Sequence, residues 1–181
     1  MNCLFVQNEA TYHGGGAVSG NATDPVRIVN NTFVGNTTVT GSGGAVWLQA
    51  GCTAEIANNA FLNNEAAEGW SIASLSSAAD VEVSHTVAFR ANASNTVANH
   101  FSEAASTLTL DSQTCWLSDP AFVSPATGDH RPSTGSPCID SGANPATFSG
   151  LESYLSVDLD GRARPRRGTD ADIGSYEYYP N

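Results

Sequence analysis

Apolar residues in the first part of the chain fall in short runs. In one representative stretch they occupy residues 44–49, then 54–57 beyond the turn at Gly51, then 60–62 beyond the Asn58-Asn59 pair. Each run is too short and too β-like for a helix, and Gly, Asn, Ser and Thr mark the corners between runs. The runs also recur. Phe5, Phe33, Phe61 and Phe89 are each 28 residues apart, although the chain holds only seven phenylalanines. Asn8, Asn36, Asn64 and Asn92 keep the same spacing, three residues after each Phe. Gly15-Gly16-Ala17-Val18 returns as Gly43-Gly44-Ala45-Val46, and Asn30-Asn31 as Asn58-Asn59. Later copies drift: Val83 follows Ile56 one residue early, which predicts a compensated shift.

Three short strands per repeat cannot bury their apolar sides alone. Coiling stacks successive repeats as parallel sheets about 4.8 Å apart. The predicted fold is all-β: a right-handed parallel β-helix with three short strands per coil and about four 28-residue coils over residues 1–110. The Phe column then forms an inward ladder and the Asn column a corner ladder, since Asn tolerates left-handed backbone and bonds along the stack. The sequons at Asn21, Asn36 and Asn92 read as by-products of this repetition. After Leu110 the period breaks and prolines appear, so residues 111–181 are expected to form an irregular C-terminal cap over the open solenoid end.

That C-terminal third carries ordered motifs: Asp119-Pro120-Ala121-Phe122-Val123, Gly128-Asp129-His130-Arg131, Gly135-Ser136-Pro137-Cys138-Ile139-Asp140-Ser141-Gly142, Asp158-Leu159-Asp160-Gly161-Arg162 and Asp172-Ile173-Gly174-Ser175-Tyr176-Glu177. Together they resemble the choice-of-anchor Q family, with His130 where that family usually has an aromatic residue. The resemblance implies a bacterial β-helix protein whose coils are similar to pectate-lyase-like and polymorphic outer-membrane repeats, secreted or held at the cell surface. Met1 leads straight into repeat-like sequence and Asn181 ends the chain without a sorting tail, so the expectation is a C-terminal fragment with any export signal upstream.

Charge narrows the partners. The formal net charge is −11, only 14% of residues are charged, and lysine is absent. Nucleic acid and anionic membrane surfaces need clustered cations and are not expected partners, and no stretch is apolar enough for membrane insertion. The one basic cluster, Arg162, Arg164, Arg166 and Arg167, lies among Asp158, Asp160, Asp170 and Asp172, which favours internal pairing. Cys3, Cys52, Cys115 and Cys138 lack zinc spacing, and Cys115 with Cys138 reads equally as a disulfide or as buried thiols.

Candidate chemistry is sparse. Arg27 shares a column with Glu55 and, given the shift, Glu82, which predicts an exposed ion ladder rather than a lyase base. Asp24 and Asp80, like Glu9 and Glu65, share columns two coils apart, a spacing that glycoside hydrolysis by paired carboxylates would accept and that chance also supplies. Trp47, with Tyr12 and His13 a coil earlier, is a candidate sugar platform if it faces outward. Asp158, Asp160 and Asp172 are candidate ligands of a structural Ca²⁺, although Asp158-Leu159-Asp160-Gly161 also suits a plain Asp-Gly turn. No other cofactor is expected. The leading expectation is a scaffold that contacts polysaccharide or a cell-surface partner and stacks end to end with itself. The alternative is part of a polysaccharide lyase or glycoside hydrolase with its catalytic coils upstream.

Overall fold

The computed structural model describes residues 1–20, 25–49, 51–74, 80–103, 108–166 and 170–180. The first coil runs through β1 (Leu4–Val6), β2 (Glu9–Gly14), β3 (Val18–Gly20) and β4 (Val26–Val29). The second repeats it with β5 (Thr32–Val34), β6 (Thr37–Ser42), β7 (Val46–Leu48) and β8 (Ala54–Ala57). The third holds β9 (Ala60–Leu62), β10 (Ile72–Ser74) and β11 (Val81–Ser84). The fourth holds β12 (Thr86–Phe89), the one-turn helix α1 (Val97–His100), β13 (Phe101–Glu103) and β14 (Leu108–Leu110), and β15 (Cys115–Trp116) follows.

Equivalent strands stack into three parallel sheets, ordered β1-β5-β9-β12-β15, β3-β7-β10-β13 and β4-β8-β11-β14. This is the parallel β-solenoid that the repeat predicts. A fourth face is added by the parallel ribbon of β2 and β6, continued by single bridges to Glu65 and Glu68. That ribbon is polar on both sides, so no apolar alternation announced it.

The rings of Phe5 and Phe33 stack at 4.8 Å, and those of Phe33 and Phe61 at 4.9 Å, each pair inclined by 5°. Around them the interior is filled by Val46, Leu48, Ile56, Ile72, Val81 and Val83. Phe89 does not join this ladder. The third coil is short, the missing residue is not restored before β12, and Ala88 therefore pairs with Phe61 while Phe89 pairs with Leu62. A slip of one residue sends a side chain to the other face of a strand, and Phe89 packs outside, beside Leu62 and Phe122.

Two Asn columns bind the corners. Asn8 and Asn36 each donate, through main chain and carboxamide, to the Oδ1 of the next rung, Asn36 and Asn64. Asn31 does the same to Asn59. Asn92 falls outside the ladder for the same reason as Phe89; it is exposed, with a left-handed φ of 59°. At the neighbouring corner position Asn2, Asn30, Asn58 and, after the slip, His85 all adopt positive φ, the conformation that Asn accepts at least cost among non-glycine residues.

Much of the irregular C-terminal region lies along the flank of the coils, while Cys115 and Leu117 at its start pack against the interior of the solenoid. Beyond β15 the antiparallel pair β16 (Phe122–Ser124) and β17 (Asp129–Pro132) leads into a strap that runs back toward the first coil. Phe122, Cys138 and Ile173 cover Val34, Leu62 and Val87, and Phe148 and Leu155 cover Val29 and Ala57. The rings of His130 and Phe122 meet in a T-shaped contact, centroids 5.8 Å apart. The carboxamide of Asn58 donates to the Ala143 carbonyl at 2.9 Å and accepts from its N–H at 2.7 Å. Asn2 reaches the carbonyls of Tyr154 and Val157 at 2.8 and 2.9 Å. Gly174, at φ +104°, lies so close to the coils that a Cβ would meet Thr32 Oγ1 at 2.8 Å.

Candidate functional site

Where the strap's tail, residues 176–180, passes the β16–β17 hairpin, a cleft of about 610 Å³ opens, lined by Arg131, Pro132, Thr134, Arg162, Tyr178 and Tyr179 among others. One of its lining residues, Glu177, belongs to a buried ion pair. Arg164 Nε donates to Glu177 Oε1 at 2.7 Å with both side chains almost wholly enclosed. The same guanidinium reaches Asn2 Oδ1 at 2.8 Å and the Gly174 carbonyl at 3.0 Å, tying the pair to the first coil. Asp158 accepts the N–H groups of Arg162 and Glu177 at 2.7 and 3.0 Å. Asp172 accepts those of Asp140, at 2.7 Å, and Tyr178. Burial, with the Glu177 charge nearby, lifts the Asp172 carboxyl to about 6.

The walls are more exposed. Tyr179 lies against two guanidiniums, Arg162 at 4.9 Å and Arg166 at 4.7 Å from its centroid, and its hydroxyl donates to the Ala163 carbonyl at 3.0 Å. The hydroxyls of Tyr178 and Thr134 are 2.8 Å apart. Arg131 grips Asp129 through Nε and a second guanidinium nitrogen, and Arg162 stands 3.7 Å from Asp160. The arginine cluster is thus divided: Arg164 points inward to its carboxylate, while Arg162 and Arg166 stack on an aromatic wall.

The residues singled out by their chemistry are placed as follows. Arg27 Nε is 3.0 Å from Glu55 and its NH1 donates to the Ser149 carbonyl at 2.7 Å, with Glu82 the next rung. Asp24 lies outside the described residues, as do Asn21 and Arg167. Asp80 is exposed, and its carbonyl accepts the Ala54 N–H. Trp47 faces outward between buried Val46 and Leu48, partly exposed, with the His13 ring stacked beside it at 6.3 Å. Tyr12 stands away from them, 72% exposed. Asp158, Asp160 and Asp172 are not brought together as a ligand set, because the first and last serve backbone N–H groups and Asp160 faces Arg162. Among the described residues no three His, Cys, Asp or Glu side chains converge to hold a metal ion. Cys115 and Cys138 are separate free thiols, their acidities weakened by burial.

One assembly was not legible from spacing. Ser71 Oγ lies 3.0 Å from His100 Nδ1, and His100 Nε2 lies 2.8 Å from Asn95 Oδ1. The amide oxygen can only accept, so Nε2 carries the proton and Nδ1 accepts from the serine. This hydroxyl–imidazole–amide chain has the connectivity of a nucleophile relay, but Ser71 and His100 are each 1% exposed, so no substrate reaches the hydroxyl. Burial and the nearby Arg90 charge push His100 down to about 4. The group anchors α1 to the core.

The cleft residues were partly visible as motif positions, and Tyr178 and Tyr179 sit in a run holding three of the five tyrosines. Their convergence with Arg131 depends on the hairpin and could not be read from local pattern. Comparison with protein-family models, with curated proteins and with solved structures finds no match.

Proposed function

We propose that the chain is a non-catalytic scaffold portion of a secreted or cell-surface β-helix protein that contacts polysaccharide, with the strap as its contact surface. The observation that carries this reading is the use of the polar groups: the Asn ladders, the Arg164–Glu177 pair and the Ser71–His100–Asn95 chain all hold the fold together from enclosed positions. The outer strap, by contrast, presents aromatic and hydroxyl groups around an accessible cleft. A neutral-polar, lysine-free surface and the choice-of-anchor Q resemblance support an extracellular setting. The edge strand β1 and half-exposed Phe5 support end-to-end stacking on a further coil or second copy.

Turnover assays test the scaffold reading. Ultraviolet detection of unsaturated uronate products, with and without Ca²⁺, and reducing-sugar release from neutral glycans are both expected to stay at background. Saturable turnover of any glycan by the purified chain would overturn it.

A further inference from the structure

The geometry points to an uncharged saccharide, rather than a uronate-rich one, as the occupant of the cleft between the β16–β17 hairpin and the strap's tail. This rests on the polysaccharide-contact reading and adds the ligand's class. At about 610 Å³ the cleft is within the usual range for a small-molecule or short-oligosaccharide site. Tyr179 is fixed in the cleft wall by its hydroxyl bond to the Ala163 carbonyl and by the guanidiniums of Arg162 and Arg166 over its ring. Its rim, with the adjacent Tyr178 side chain, gives the wall C–H surface beside hydroxyls, to which the C–H groups of a pyranose are suited.

Charge decides the class. The charged side chains lining the cleft are those of Arg131, Arg162 and Glu177, and each already has a partner: Asp129 for Arg131, Asp160 for Arg162 and Arg164 for Glu177. Among the described lining residues no positive charge is left unmatched. Arg131 already grips Asp129 with two nitrogens, so a sugar carboxylate would have to displace a covalently tethered competitor. It would also approach a chain of net charge −11. A sugar hydroxyl meets no such competition, because it donates and accepts at once. The Arg131–Asp129 pair, the Arg162–Asp160 pair and the Tyr178–Thr134 hydroxyls each offer donors beside acceptors.

The test is calorimetric titration of the whole chain with neutral gluco-, manno- and galacto-oligosaccharides and with oligogalacturonate and oligoalginate of equal length, at physiological salt. At least one neutral probe is expected to bind, with uronate probes roughly tenfold weaker or worse. Tyr179→Ala should weaken the neutral probe by roughly tenfold, and the milder Tyr178→Phe/Thr134→Val pair should weaken it while leaving the melting temperature unchanged. Uronate binding as tight as neutral binding overturns the charge argument but leaves polysaccharide contact standing. Neutral binding that both variants retain overturns the assignment to this cleft. Binding of neither class overturns this inference and the contact reading together.

Discussion

Phe33 has a ring neighbour on each side, at 4.8 and 4.9 Å, and no exposed surface, whereas Phe89 shares its 28-residue count and turns to the opposite face of its strand. The difference is one missing residue in the third coil. Truncating a fully packed phenylalanine removes its transfer energy and leaves a cavity, so Phe33→Ala should lower stability by about 3–5 kcal/mol. Phe89→Ala, at a half-buried outer position, should cost less than half of that. Urea unfolding of the two variants checks the order, and equal losses would place Phe89 in the ladder after all. Asn92 follows the same logic, since Asn36 and Asn64 are enclosed and bonded along the stack while Asn92 is exposed.

The strands themselves were legible because their corners repeat. Asn30 and Asn58 take left-handed backbone, Asn31 and Asn59 link the coils, and both members of each doublet stand in the sequence at the same interval. The strap was less legible, although a signal was present. Thr32-Phe33-Val34 and Ala60-Phe61-Leu62 are buried at every position, and a strand apolar on both sides must be covered on both faces. What covers them comes from many dozens of residues further along the chain and has no period, so pattern alone could not name it. The same holds for the cleft, whose walls come from the hairpin and the strap's tail. The strap's anchorage is testable. Removing one member of a buried ion pair leaves an unpaired charge, so Arg164→Met should destabilise by about 3–5 kcal/mol. Adding Glu177→Leu to that variant should recover part of the loss in the same urea titration. A double variant worse than Arg164→Met would show that Glu177 is held mainly by other groups.

Across the whole molecule, ionisation sets how stability responds to acid. Burial depresses His85, His100 and His130 below their ordinary value, His100 to about 4. The unfolded chain therefore binds protons from about pH 6.5 downward while the native chain resists, and stability is lost as pH falls toward 4. Asp172 acts in the opposite sense. Its folded value, about 6, lies above its unfolded one, so its contribution is present in acid and lost as pH rises through 6. Urea midpoints are expected to fall from pH 7 to 4, less steeply in His100→Gln and more steeply in Asp172→Asn. Slopes unchanged in both variants would remove these two groups from the account.

Stacked coils that touch only their nearest neighbours can fray from an end, one repeat at a time. The return of the C-terminal strap to Asn2, Arg27 and Asn58 adds contacts between chain segments far apart in the array. Opening the first coil then also releases the strap from the second, so a loss at one terminus propagates through the whole. The solenoid is thereby converted from a linear chain of independent links into a closed circuit that unfolds as one unit.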